Sequence, residues 1–390
     1  RRLMQAGIAL TFGGEPTYVP EQPEGAEWSV AADGPTKLTY AKALARELEQ
    51  RVWPGSTLLY CPGKRYDGEV NPRWALRLIT GTDGTPIVRW PQTSSTPQGP
   101  TARRALTASE APGLLAAIGK GLGCPLQPLP LRDPLDPERQ VWAAPLCHHD
   151  EASPSQSLGW QAAAWPLAEP LRKLIGAPGP AGLRLPLAHF PEGVLRQVLT
   201  LEVGPQDWSL FLPPLARQPL ESLLGVIAQA SAAWSQPELS GVLPLDIDGA
   251  WQVLGLTADP GVLEVNLPVC HSWADYAGWM GALEEAGEAV GLRSWKQQGE
   301  RTEGSGGGNH LPVAELALVV AGEDAAAEAL NPIRQPEGAG RRLRPRLLRG
   351  GHRGRPAVAA WPWRPRGGPP PHQLGTRSRW AGPECRGDHG

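Results

Sequence analysis

"WQVLGLTADPGVLEVNL", residues 251 to 267, holds two apolar runs, "WQVLGLT" and "VLEVNL", around Asp259-Pro260-Gly261. Apolar runs bounded by turn-forming residues read as paired strands. Strand side chains alternate between faces, so Glu264 and Asn266 share one face while Leu263, Val265 and Leu267 fill the other. Upstream, "QVLTLEV" and "DWSLFLP" form a similar pair around the turn-prone "GPQ". Strands in neighbouring pairs with helices between the pairs point to an α+β fold on a largely antiparallel sheet, not to a βαβ repeat.

The remaining elements follow from the same rules. "IALTFGG" reads as a short buried strand that ends on paired glycines before Glu15. "TKLTYAKALARELEQRVWPG" reads as a helix, with Thr36 as N-cap, an apolar stripe of Leu38, Ala41, Ala45, Leu48 and Val52, and a stop at Pro54-Gly55. "TLLYC" and "PIVRW" are expected strands. Residues 92 to 180, rich in proline and small side chains, are expected to be long surface connections with one helix near 109 to 120. "PLESLLGVIAQASAAW" is a helix with Leu220, Leu223, Leu224, Ile227, Ala230 and Trp234 on one side. "SWADYAGWMGALEEAGEAVGL" is another, with a Ser272–Asp275 capping box and Gly291 as C-cap. No internal repeat is visible.

A chain of 390 residues has ample material for a core. Its formal net charge of -2 argues against a general nucleic-acid binder. No apolar run reaches the ~18 residues that cross a bilayer, and no signal peptide is recognised, so a soluble, cytoplasmic protein without a membrane partner is expected. The opening Arg1-Arg2, without an initiator Met, suggests a fragment. Five scattered cysteines without CxxC spacing fit reduced thiols. Residues 331 to 390 hold thirteen Arg, no Lys and three acidic residues among abundant Gly and Pro. They read as a disordered tail following a domain over 1 to 330, and the absence of Lys favours a frameshifted reading.

Several residues could carry chemistry. An acid and an amide side by side on an apolar strand, Glu264 and Asn266, can hold a metal or a charged substrate; a plain solvent-facing strand gives the same pattern. Glu15 after two glycines could ligate Mg2+, or sit in an ordinary turn. "GERTEGSGGGNH", residues 299 to 310, crowds five glycines ahead of Asn309 and His310. It lacks the Lys-Ser/Thr of a P-loop, and a flexible linker is the alternative. "CPGKRYDGEVNPRW" offers Lys64, Arg65 and Arg73 to phosphate or carboxylate, or to solvent. "CHHD" (147–150) is a poor zinc site because adjacent ligands do not share a tetrahedron. Cys270-His271 is a poor protease pair because adjacent strand residues point apart.

Taken in order, "LTFGGEPTYV", "GAEWSVAADGPTK", "PGKRYDGEVNPRWAL", "GLRLPL", "FLPPL", "DPGVLEVNLP" with "SW", and "GSGGGNH" resemble a bacterial family of predicted amidoligases, from about Ile8 to His310. Members of that family usually lie behind a transglutaminase-like domain, and kinship with glutamine synthetase and glutamate-cysteine ligase has been proposed for them. The resemblance implies a glutamine-synthetase-like curved, mostly antiparallel sheet with helices packed on one side. It also implies an ATP- and Mg2+-dependent ligase that forms an amide on a peptide or small amino acid through an acyl phosphate. By the same resemblance Glu15 and Glu264 would bind metal. Gly306, Gly307, Gly308, Lys64 and Arg73 would bind nucleotide, and Asn309 and His310 would act in catalysis. A transglutaminase-like domain would precede the chain. Three departures stand out: one Glu where the superfamily often shows two, an irregular middle, and no later Arg-containing segment. They leave room for a truncated, inactive chain. The alternative reading is a noncatalytic binding or scaffolding module of a transglutaminase-family protein.

Overall fold

"TLLYCP" and "WALRLITG" carry apolar side chains at both parities, and a strand with two apolar faces needs a packed layer on each. These two segments become central strands. The computed structural model describes residues 9–13, 15–65, 72–91, 95–96, 99–100, 103–149, 158–246, 248–294, 315–320 and 357–359. In chain order the strands are β1 (Ala9–Gly13), β2 (Thr17–Pro20), β3 (Thr57–Pro62), β4 (Trp74–Gly81), β5 (Ser95–Thr96), β6 (Gly99–Pro100), β7 (Leu129–Arg132), β8 (Gln140–His149), β9 (Gly159–Ala162), β10 (Val198–Val203), β11 (Trp208–Phe211), β12 (Glu238–Ser240), β13 (Trp251–Asp259), β14 (Val262–Asn266), β15 (Leu292–Ser294), β16 (Glu315–Val320) and β17 (Ala357–Ala359). The α-helices are α1 (Lys37–Arg51), α2 (Ala111–Gly121), α3 (Arg217–Ala230) and α4 (Trp273–Ala289).

The chain divides into two units, Ala9–Leu316 and Arg1–Ile8 with Ala317–Gly390. Within the second, Leu318, Val319 and Val320 pair antiparallel with Ala359, Val358 and Ala357. The rest of the tail expected over 331 to 390 lies outside the described residues. Among the described residues no helix is long and apolar enough to cross a membrane.

The first unit is built on one open sheet of twelve strands, in the order β15-β2-β14-β13-β4-β3-β12-β11-β10-β8-β7, with β9 also on β8. Its pairings are antiparallel except where β12 lies parallel to both β11 and β3. Helix α3 makes the crossover between β11 and β12 that a parallel pairing requires. The mixed, mostly antiparallel α+β architecture is as expected.

The helices do not lie on one side. Leu44 and Leu48 of α1 and Leu283 of α4 pack with Trp74, Leu76 and Leu78 of β4. Leu114 and Ile118 of α2 and Leu223 and Ile227 of α3 pack with Ala75 and Ile79 of the same strand. Alternation puts those two sets on opposite faces, so a helix pair covers each face. Helix α4 carries the serine half of the expected capping box, with Ser272 Oγ accepting from the Asp275 N–H at 3.1 Å, and Gly291 follows its end at φ +73°. Thr36 precedes α1 without capping it. Its hydroxyl instead donates to Glu27 Oε1 and accepts from Trp28 Nε1, both at 2.9 Å.

Two other expectations are corrected. "PIVRW" forms no strand, because β3 and β13 already occupy both edges of β4 and Pro86 lacks a donor. The segment expected to be loops with one helix contains α2 but also β7, β8 and β9. Its signal was hidden by small residues: Ala143 and Ala144 of β8 are fully buried where β8 crosses the sheet. This end has its own core, including Leu131, Trp165, Leu174 and Phe190. A buried ion pair lies beside it. Arg184 reaches Asp133 with Nη1–Oδ1 at 3.0 Å and Nη2–Oδ2 at 2.5 Å, and Glu202 lies 4.0 Å from Nη2. Hydrogen bonds from Arg184 hold the Asp133 carboxyl below the usual carboxylate range, whereas burial pushes Glu202 up. Arg184→Met would strand two buried carboxyls, and we expect chemical denaturation to show a loss of about 3–5 kcal/mol.

Candidate active site on the sheet face

The β13–β14 hairpin sets the geometry. Its turn ends at Gly261, with φ +75°, where a side chain would meet the Ser29 carbonyl. From that turn the register runs Thr257 opposite Glu264 and Gly255 opposite Asn266. On the far side of β14, Thr17 stands opposite Glu264; on the far side of β13, Ala75 stands opposite Thr257 and Arg77 opposite Gly255. Two adjacent rows thus cross the face that carries α2 and α3 elsewhere: Thr17–Glu264–Thr257–Ala75 and Asn266–Gly255–Arg77.

Glu264 and Asn266 do share a face, and they touch. Asn266 Nδ2 donates to Glu264 Oε1 at 3.0 Å, and Thr257 Oγ1 donates to the same oxygen at 3.2 Å. Glu264, Asn266, Thr257 and Arg77 are all half-buried. The Arg77 side chain lies over Gly255, where any Cβ would collide with its guanidinium. A cavity of about 350 Å³ opens above Arg77, Gly255 and Asn266. Two larger hollows, of about 970 and 930 Å³, touch neither Glu264 nor Asn266.

The other expected site residues fall as follows. Glu15 is exposed and directly precedes Pro16, whose carbonyl accepts from the Val265 N–H at 2.9 Å. Glu15 therefore enters β2 beside the strand that carries Glu264. Lys64 is exposed on the connection between β3 and β4, and its carbonyl accepts from the Arg73 N–H at 3.0 Å. The Arg73 guanidinium is engaged by Asp259, at 3.4 Å in a mostly buried pair. Gly306, Gly307, Gly308, Asn309 and His310 lie outside the described residues. Among the described residues no group of three or more His, Cys, Asp or Glu could hold a metal, although Cys147 Sγ does lie 3.3 Å from His149 Nε2. Cys61, Cys124, Cys147 and Cys270 are buried free thiols.

Sequence reasoning missed Arg77, Thr257 and Gly255. The signal was present: an Arg inside the apolar "WALRLIT" and a Gly inside the strand "WQVLGLT", a place where glycine marks close approach.

Comparison with known families agrees with the ordered motifs. The model of the family described as "Putative amidoligase enzyme" matches residues 1–129 and 189–319, and the chain belongs to that family. Neither the curated proteins nor the solved structures contain a match.

Lys37 ties this end of the sheet to α1. It is wholly buried, donates from Nζ to the Ala32 and Asp259 carbonyls at 2.7 Å each, and lies 5.0 Å from the Trp28 ring centroid. Burial pulls its pKa down from 10.5 to about 8. Below that pH the ammonium is charged both folded and unfolded. From about 8 to 10.5 the folded chain sheds a proton that the unfolded chain keeps, so the Lys37 contribution to stability rises with pH. Relative to Lys37→Met, wild type should gain about 3 kcal/mol in unfolding free energy between neutral pH and the top of that window. Taking the difference removes the opposing contribution of Cys61, whose thiol burial pushes up to about 11.

Proposed function

We propose that the chain is an ATP- and Mg2+-dependent ligase that joins an amine to a carboxylate. The observation that carries this reading is the Glu264 carboxylate. Among the described residues both of its side-chain hydrogen bonds go to Oε1, which leaves Oε2 to face a cation. Family membership supports amide formation as the chemistry. The residues fit Mg2+ in the form that phosphoryl-transfer sites use. Such ions are held by one or two carboxylates, with substrate phosphates and water completing the shell, and need no protein cage. Glu264, with Glu15 at the entry to the neighbouring strand, would provide those carboxylates. Mg2+ bound there would neutralise charge on the phosphates.

In the reaction a carboxylate oxygen of the acid attacks the γ-phosphorus and ADP leaves, giving an acyl phosphate. The amine nitrogen then attacks the carbonyl carbon, the C–O bond to phosphate breaks, and the amine gives up a proton. Asn266 and Thr257 fix the Glu264 side chain throughout, so no rotamer search accompanies phosphate binding. Lys64 and the Gly306–Gly308 loop are assigned to nucleotide, and Asn309 and His310 to catalysis, by resemblance. Arg73 would serve phosphate only while sharing its charge with Asp259.

The test is ADP release by the full chain with Mg2+ and a panel of acids and amines. We expect release that requires both substrates. Glu264→Gln keeps the oxygen that Asn266 and Thr257 hold, and should lower turnover on the order of 100-fold or more at unchanged melting temperature. A folded chain that releases no ADP with any pair would favour the binding-module reading.

A further inference from the structure

Among the described residues, the Arg77 guanidinium has no ion-pair partner and makes no side-chain hydrogen bond, yet it is half-buried on the sheet face. A cation partly withdrawn from water without a counter-charge loses solvation that a bound anion would restore. Its position is also built. Gly255 clears the space in which it lies, and the cavity beside it is also lined by Val242 and Leu243, in the chain that follows β12.

We infer that this cavity is a subsite for a monocarboxylate with an apolar body. The lining supplies one permanent cation, Arg77, and one neutral amide, Asn266; Cys61, Val242, Leu243 and the remaining residues are mainly apolar. A planar guanidinium fork matches a carboxylate in two parallel hydrogen bonds. A phosphate dianion would call for a second cation, and the next one on this face, Arg73, is already paired with Asp259. The volume of about 350 Å³ is at the lower end of small-molecule sites and suits a body of several carbons. Burial keeps the Cys61 thiol protonated at neutral pH, so it adds no competing anion. Naming this ligand as the acid substrate rests on the ligase reading; the binding itself does not.

The experiment is calorimetric titration of the full chain, without ATP or amine, using hexanoate, hexanamide and inorganic phosphate. Hexanoate should bind at least tenfold more tightly than either of the others. Arg77→Gln, and Gly255→Ala, which evicts the guanidinium, should each weaken hexanoate at least tenfold, with folding checked by circular dichroism. Absent hexanoate binding, equal binding of acid and amide, tighter binding of phosphate, or undiminished binding by folded Arg77→Gln would each overturn the inference. If either variant fails to fold, the acid–amide comparison on wild type decides alone. Carboxylate binding without any ligase turnover would sink the ligase reading and leave the subsite; turnover without Arg77-dependent binding would do the reverse.

Discussion

The register of β13 between β4 and β14 is the constraint on which the rest depends. Leu256 stands between Leu76 and Val265, and Gly255 between Arg77 and Asn266. A slip of one residue would turn Thr257 and Gly255 toward α1 and α4 and expel Leu254 and Leu256 from that layer. Each buried leucine contributes roughly 1.5–3 kcal/mol, so the correct register is strongly favoured. The turn reinforces it: the Gly261 N–H donates to the Ala31 carbonyl at 3.2 Å, fastening the hairpin tip to the chain before α1.

Asp259, at the end of β13, links backbone and charge at one point. Its carbonyl takes the Lys37 ammonium and its carboxylate takes Arg73. The start of α1, the β3–β4 connection and the hairpin are thereby held together at the same edge of the candidate site. The second buried ionic cluster, Arg184 with Asp133 and Glu202, does comparable work at the far end of the sheet. There it joins the stretch the family model leaves unmatched to β10, a strand within the matched part.

Strand pairs with clean alternation, such as β10–β11 and β13–β14, were legible because one parity was apolar and the turns were marked by Gly, Pro and Asp. The face shared by Glu264 and Asn266 followed from that alternation alone. What was not legible depended on partners distant in sequence. Both edges of β4 were taken, so "PIVRW" could not pair despite its composition. The alanines of β8 looked like loop material until β10 was laid beside them. The hydroxyl of Thr36 was diverted from capping by Glu27 and Trp28. Arg77 could be noticed as an oddity in its strand, but its meaning required Gly255, 178 positions later, to be placed directly across from it.

That last pairing ties two positions together in inheritance as well as in space. A methyl group at 255 and a guanidinium at 77 cannot occupy the same volume. Among relatives, a residue larger than glycine at the first position should therefore accompany a shorter side chain at the second. The two columns would carry little information read singly and much more read jointly. Lineages that drop the arginine would free the glycine to drift, and such drift would mark the branches in which this face of the sheet has changed its ligand.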